Sequence, residues 1–315
     1  MKVSEASAPF LNYCRVERHV SPATLAKYRD CLQCWLLPWL GDKEIDCLTK
    51  VEILDLRKAM VDKDLSIARQ YSVIMCLKSF LKFCRSTWNL RCLDPNEISL
   101  PKRPAPEVEY LSNEEIQTVL DAIQIHTFAG LRLRALIEVL LSTGMRISEA
   151  LSLRRATFEA DLNEAEIVGK GNRKRVVFFS GRCRFWVREY LSRRVDDDPA
   201  LFVTTGFPAR PFKREDVSRF FLDLKRKAGL NKKFTPHILR HTFCTMLRDN
   251  GADISHIKDL AGHANIGTTA RYYLGKDRAV LRNVVDRCLK YGLREPQPAE
   301  RWQPANSPPF PAPRV

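Results

Sequence analysis

Several ordinary signals are scarce in this 315-residue chain. It has no uninterrupted run of about 18 apolar residues, so nothing in it reads as a membrane span. The opening residues, MKVSEASAPFLNYCRVERHV, include an acidic residue and lack a long apolar core, so they do not read as a secretory signal. Of ten cysteines, only Cys31-Leu-Gln-Cys34 makes a CxxC, and no second pair follows at zinc-site spacing. Cys14, Cys31, Cys34, Cys47, Cys76, Cys84 and Cys92 lie in apolar surroundings and read as reduced core residues. No repeat of about 20–50 residues is visible. Acid is short as well: 37 Asp+Glu stand against 52 Lys+Arg, a net charge of +15 that points to a polyanionic partner. Charged residues at 28% and hydrophobic residues at 45% exclude wholesale disorder.

What remains is a mainly α chain with a small antiparallel β-sheet, in two domains. Residues 1–92 read as a helical domain. Ser21-Pro22 opens one helix, Thr49 with Glu52 makes a capping box for another, and Ile67 to Cys84 carry apolar residues at helical spacing. Asp94-Pro95 and the proline-rich stretch from Leu100 to Pro106 cannot continue a helix, so 93–110 reads as a linker. A second domain at 111–290 starts at the capping box Ser112 to Glu115. Helices are expected at 112–125, 130–142, 146–153, 182–193, 214–228, 236–250, 253–260, 267–273 and 277–290. Between them a short β meander at about 156–180 contains Glu164–Val168 and Arg175–Phe179, joined by a Gly-flanked turn. The tail 291–315 is proline-rich and reads as disordered. Of the net charge, +3 lies in residues 1–100 and +12 beyond them.

Chemistry-bearing residues concentrate in that second half. Arg146 follows a glycine at a helix start. His237, Arg240 and His241 share one helix face by i+3 and i+4 spacing. Lys170 sits at the β turn, and Tyr272 comes nine residues after His263. Taken singly, each has an ordinary explanation: Arg146 paired with Glu149, Lys170 a solvated turn lysine, Tyr272 a core residue. Together, two arginines, two histidines and a lysine suit a phosphate diester, with forked donors for its oxygens and a proton source for the leaving group. A tyrosine adds a nucleophile able to hold the phosphate covalently.

The segments TGMRISEAL, GKGNRKR, TPHILRHTFCTML and LAGHANIGTTARYY, in this order across residues 111–273, resemble the motifs of the tyrosine recombinases, the family of phage integrases and Xer-type resolvases. Residues 1–92 resemble that family's SAM-like core-binding domain, which leaves the second domain as its α+β catalytic domain. The resemblance implies a catalytic set of Arg146, Lys170, His237, Arg240, His263 and Tyr272, with Tyr273 as the neighbouring alternative nucleophile. It implies a site-specific DNA recombinase in which Tyr272 forms a 3′-phosphotyrosine and releases a 5′-hydroxyl. Arg146 and Arg240 would steady the phosphate oxygens and His263 would hydrogen-bond them. Lys170 would protonate the leaving oxygen, and His237 would move the tyrosine proton. No ATP, metal or other cofactor is implied. Two rounds of exchange through a Holliday junction would serve integration, excision or dimer resolution. Glu149 reads as support for Arg146 or as a helix cap.

The partner implied is double-stranded DNA with short inverted sites. The protein would be a monomer in free solution and a homotetramer on DNA, cytoplasmic and nucleoid-associated when bound. The short N-terminal part leaves no room for a further arm-binding domain. The basic segments 170–194 and 210–233, with nine Lys+Arg each, are expected to face DNA, with the linker closing the two domains around the duplex. An apolar stripe on the last helix, Val280, Leu281, Val284, Val285, Cys288 and Leu289, would dock in a neighbour's groove; the alternative is that it folds back on its own domain. Three rival functions remain open at this point. They are a zinc nuclease on His237, His241 and His263, a catalytically idle DNA-binding accessory protein, and a type IB topoisomerase.

Overall fold

Capping side chains set where the helices begin. The structure, a computed structural model, describes residues 1–102, 109–159, 163–169, 174–206, 208–262 and 278–289; side chains 159 and 278–280 are also left undescribed. It divides into two units, Met1–Glu107 and Val108–Val315.

In the first unit, α1 (Val3–Val16) is followed by α2 (Pro22–Cys31), where Ser21 accepts from the Thr24 N–H and Pro22 fills the first turn. A π-helical turn, Leu32–Leu36, leads into α3 (Leu37–Leu40). The Thr49–Glu52 capping box opens α4 (Lys50–Asp62), and Ser66 caps α5 (Ile67–Trp88). Phe10 meets Phe80 edge-on at 5.5 Å in a core shared with Leu36, Leu40 and Leu77. The stretch read as a linker begins inside this unit: Ile98 is only 4% exposed, and Lys78 Nζ donates to its carbonyl at 2.7 Å. Cys14, Cys31, Cys76, Cys84 and Cys92 are buried thiols, whereas Cys34 and Cys47 are exposed and belong to no core.

The second unit is built around α7 (Phe128–Thr143), buried along its whole length from Gly130. With no solvent face over that length it is mostly apolar, and the charges it does bury, Arg132, Arg134 and Glu138, each meet a partner. It packs against α10 (Gly181–Leu191) and α12 (Pro236–Asp249). Before it comes α6 (Asn113–Asp121), opened by the Ser112–Glu115 capping box. After it come the one-turn helices α8 (Ile147–Ala150) and α9 (Ala156–Glu159); α8 is shorter than the helix expected at 146–153, and α9 was not foreseen. The meander is an antiparallel pair among the described residues, β1 (Glu164–Val168) and β2 (Lys174–Phe178), registered Glu164 to Phe178 and Val168 to Lys174. Then follow α11 (Arg214–Lys227), α12, α13 (Ile254–Ala261) and α14 (Arg278–Cys288). The helix expected at 267–273 lies outside the described residues, as does the tail from 290. Among the described residues no helix is long and apolar enough to cross a membrane.

In the single chain the α14 stripe takes the alternative seat, on its own unit: Val284, Val285, Cys288 and Leu289 are buried against α12 and α13, and Cys288 Sγ donates to the Asn250 carbonyl at 3.3 Å. One expectation changes here. Several basic residues assigned to a DNA face are structural instead. Arg182 Nε bonds Glu138 at 2.9 Å, and Arg194 pairs with Asp196 and donates to the carbonyl of Leu201 at 3.2 Å. Buried guanidinium groups need such acceptors, so these residues are not spare positive charge for a polyanion.

Glu138 also accepts from Arg134 Nε at 2.9 Å, so one buried carboxylate serves two buried guanidinium groups. Glu138→Ala is therefore expected to destabilise the second unit by about 3–5 kcal/mol. A lowered urea midpoint at constant m would register this; a midpoint shift worth under about 1 kcal/mol would mean the cluster is not held through Glu138.

Candidate active site

The site grows from the turn that ends α7. Gly144 takes a left-handed φ of 59°, and a Cβ there would stand 2.3 Å from the Phe243 ring, so only glycine fits. The chain then passes through buried Met145 to Arg146, an extended N-cap residue at φ −70°, ψ 149°.

Glu149, three residues on, does both things expected of it. Its Oε2 accepts the Arg146 backbone N–H at 2.9 Å, capping α8, and its Oε1 accepts Arg146 Nη1 at 3.0 Å. Arg175, from β2, adds Nη1 to Oε1 at 3.2 Å and Nη2 to Oε2 at 2.7 Å. Burial alone would raise the Glu149 pKa; the Arg175 guanidinium and the Arg146 donors outweigh it and hold the carboxyl below its ordinary value. Arg146 Nη2 reaches across to the Gly262 carbonyl at 3.1 Å, and its side chain stays 32% exposed.

Arg240 arrives from α12. The helix starts at Thr235, whose hydroxyl accepts the Ile238 N–H, with Pro236 in the first turn. This phases Arg240 inward, where it is 3% exposed and donates Nη1 to the Gly144 carbonyl at 2.7 Å. Its Nη2 is buried with no hydrogen-bond partner among the described residues. Burial, and then the charge of Arg146, push the Arg240 pKa down to about 10, which still leaves it charged at neutral pH. A buried guanidinium nitrogen without an acceptor is costly, and an incoming anion relieves that cost.

His237 lies one turn before Arg240 and is exposed. Its ring meets that of His241 edge-on at 4.4 Å. The His241 pKa is lowered by burial and by the neighbouring His237 and Arg240. Among the described residues no group of three His, Cys, Asp or Glu converges as a metal site.

Of the six residues the sequence proposes, the structure thus brings Arg146, His237 and Arg240 to one region, where α12 meets the end of α7. Lys170, His263 and Tyr272, with Tyr273, lie outside the described residues. Sequence reasoning passed over Arg175. The only available signal was its place at the end of GKGNRKR, inside a run of basic residues that looks like a solvated turn.

Comparison with known proteins gives the family. A model of the phage integrase family matches residues 109–278, more than half of the chain. The chain is 29% identical over 275 residues to tyrosine recombinase XerD of Oceanobacillus iheyensis, covering 84% of this chain and 91% of that protein. It is 29% identical over 277 residues to tyrosine recombinase XerC of Staphylococcus haemolyticus, covering 86% and 92%. Its fold resembles that of the Tn1549 transposon integrase solved in complex with circular intermediate DNA, with a TM-score of 0.70 at 21% identity, over 90% of this chain and 98% of that one. It also resembles the XerH site-specific recombinase bound to its palindromic difH substrate, with a TM-score of 0.65 at 21% identity, over 89% and 84%. The matched family segment contains Arg146, His237 and Arg240 together with the scaffold that holds them, so the chain belongs to the phage integrase family and is a tyrosine recombinase, an enzyme of site-specific DNA breaking and rejoining.

Proposed function

We propose that the protein recombines double-stranded DNA at short inverted sites by two rounds of tyrosine-mediated transesterification, through a Holliday junction. The observation that carries this reading is the buried Arg240 Nη2, without a hydrogen-bond partner among the described residues, beside an Arg146 side chain that is 32% exposed. A phosphate diester supplies the acceptor that Arg240 Nη2 lacks, and preorganised donors at a developing charge are a large term in catalysis.

In the proposed reaction the Tyr272 oxygen attacks the scissile phosphorus. The bond to the 5′ oxygen breaks as the 3′-phosphotyrosyl bond forms. His237 takes the phenolic proton, needed because a phenol ionises only near pH ~10. Lys170 delivers a proton to the departing 5′ oxygen, and His263 adds a hydrogen bond to the phosphate. The phosphotyrosyl linkage conserves the energy of the broken bond, so a 5′-hydroxyl from a second strand reverses the step without ATP or metal. Exposed cations of α11 and its flanks, Lys213, Arg214, Arg219 and Arg226, serve the DNA backbone in this reading.

The assembly proposed is a monomer in free solution and a tetramer on paired sites, with α14 exchanged between protomers. The seat of its apolar stripe on α12 and α13 supports this, because a helix that fits its own unit fits the same seat on an identical neighbour.

Three outcomes test these proposals. In EDTA and without ATP, the wild type is expected to form a covalent adduct on a nicked substrate. Tyr272→Phe should lose that adduct while still binding DNA, and Tyr273→Phe should retain it. An adduct that requires a divalent cation, or one that survives Tyr272→Phe, removes the assigned chemistry. Arg240→Ala should slow cleavage by about 10²–10³, the cost of one preorganised donor; cleavage at the wild-type rate would take Arg240 out of the site. For assembly, Asn250→Cys beside Cys288, with Cys34 and Cys47 changed to Ser, gives a pair for oxidation to a disulfide. Disulfide cross-links should form within one chain in free protein and between chains on paired sites. Intrachain products alone from a recombining sample would rule out the exchange.

A further inference from the structure

Arg175 has no role in the chemistry just described, yet it touches both groups that hold the Arg146 guanidinium. It lies on β2 opposite Ile167, with its side chain 11% exposed. Its fork bonds both oxygens of Glu149, at 3.2 and 2.7 Å. The same carboxylate takes Arg146 Nη1 at 3.0 Å and the Arg146 backbone N–H at 2.9 Å. A carboxylate offers about four acceptor positions, so these four donors leave Glu149 no freedom to turn. Arg175 also packs against Gly262, which has φ +66° and whose Cβ, if it had one, would stand 2.7 Å from Nη1 and 2.9 Å from Cζ. The Gly262 carbonyl is the acceptor of Arg146 Nη2 at 3.1 Å, and His263 follows it in sequence.

Charge balance together with exposure separates this arrangement from the cluster at Glu138, where one carboxylate also holds two arginines. Arg146 with Glu149 alone would be a neutral ion pair, in which the carboxylate competes with any phosphate for the guanidinium. A second guanidinium on the same carboxylate leaves two cations against one anion, a formal +1 facing Arg240. At Glu138 the two arginine side chains are only 9% and 7% exposed and the surplus charge is enclosed, whereas Arg146 stays 32% exposed, so the surplus charge at Glu149 is accessible. With Arg175 present, Glu149 aims Arg146 without cancelling its charge.

We infer that Arg175 is a positioning residue for strand cleavage, which holds Arg146 against the scissile phosphate through Glu149 and Gly262. The inference rests on the reading of Arg146 as a phosphate-binding group.

The test is single-turnover cleavage at saturating enzyme on two substrates, one with the natural scissile diester and one with a neutral methylphosphonate in its place. Arg175→Met keeps the stem without the charge, and Arg175→Lys keeps the charge without the fork. Arg175→Met should slow diester cleavage on the order of 10²-fold, the scale of an ångström-sized misplacement, at unchanged Kd for DNA. Arg175→Lys should recover part of that loss. On the methylphosphonate, which presents no anionic oxygen pair to Arg146, the penalty should shrink to a few-fold. An equal penalty on both substrates, or none on the diester, overturns the inference. If Arg175→Met does not fold, Arg175→Lys carries the same comparison between substrates. Arg146→Ala run alongside keeps two failures apart. If Arg146→Ala cleaves the diester normally, the phosphate-binding reading itself fails. If it is slow while the Arg175 variants are not, only the role given to Arg175 fails.

Discussion

The left-handed turn at Gly144 is the constraint on which the site depends. It closes α7, which is buried from Gly130 to Thr143, and its carbonyl receives the Arg240 guanidinium at 2.7 Å. The Phe243 ring, one turn beyond Arg240 on α12, closes the space where a side chain at 144 would stand. Core helix, site helix and the entry to Arg146 therefore share one fixed point. Preorganisation here is a property of packing: α7 cannot shift without disturbing α10 and α12, so the carbonyl that aims Arg240 is as rigid as the core.

Around that point the arginines divide by what satisfies them. Arg134 and Arg182 spend their donors on Glu138, Arg194 on Asp196 and nearby carbonyls, and Arg132 on the Val203 carbonyl while lying 4.2 Å from the Phe212 ring. Each of these buried charges meets an acceptor or an aromatic face, although Arg132 Nε is itself without a hydrogen-bond partner among the described residues. The site arginines differ in lying close enough to oppose one another's charge. Arg240 keeps a buried nitrogen without an acceptor among the described residues, and its pKa falls to about 10 because burial and Arg146 both oppose its charge. The fold thus holds cations where they repel one another, and an anion binding among them turns that repulsion into attraction. Net charge alone, the first sign of a polyanionic partner, does not distinguish the two groups.

That distinction marks how far the sequence could be read. Helix starts were legible because their signals are local: Ser21 with Pro22, Thr49 with Glu52, Ser112 with Glu115, and Thr235 with Pro236 each act within one turn. The hairpin was legible from its strand pattern, with β1 at its expected span and β2 one residue earlier than expected. Arg146, His237 and Arg240 were legible as a motif set. Interactions between distant residues were not. Arg175 meets Glu149 across 26 positions, Arg182 meets Glu138 across 44, and nothing in the local pattern marks either arginine as buried. Ile98 looked like linker because its proline-bearing neighbourhood breaks helices, yet breaking a helix does not prevent a residue from filling a core.

The last helix shows why a cis seat and a proposed exchange between protomers are compatible. Val284, Val285, Cys288 and Leu289 are buried on their own unit, so leaving them in water would cost about 25 cal/mol for each Å² of apolar surface exposed. A free chain avoids this by closing on itself, because an intramolecular partner is present at an effective concentration of about millimolar, above that of any neighbour in dilute solution. Exchange between identical protomers vacates each seat and refills it, so the contacts made and lost nearly cancel. The balance is then set by local concentration rather than by contact strength. DNA sites that bring protomers together raise that concentration, and the proposed exchange is drawn by the DNA assembly without a stronger interface on the protein.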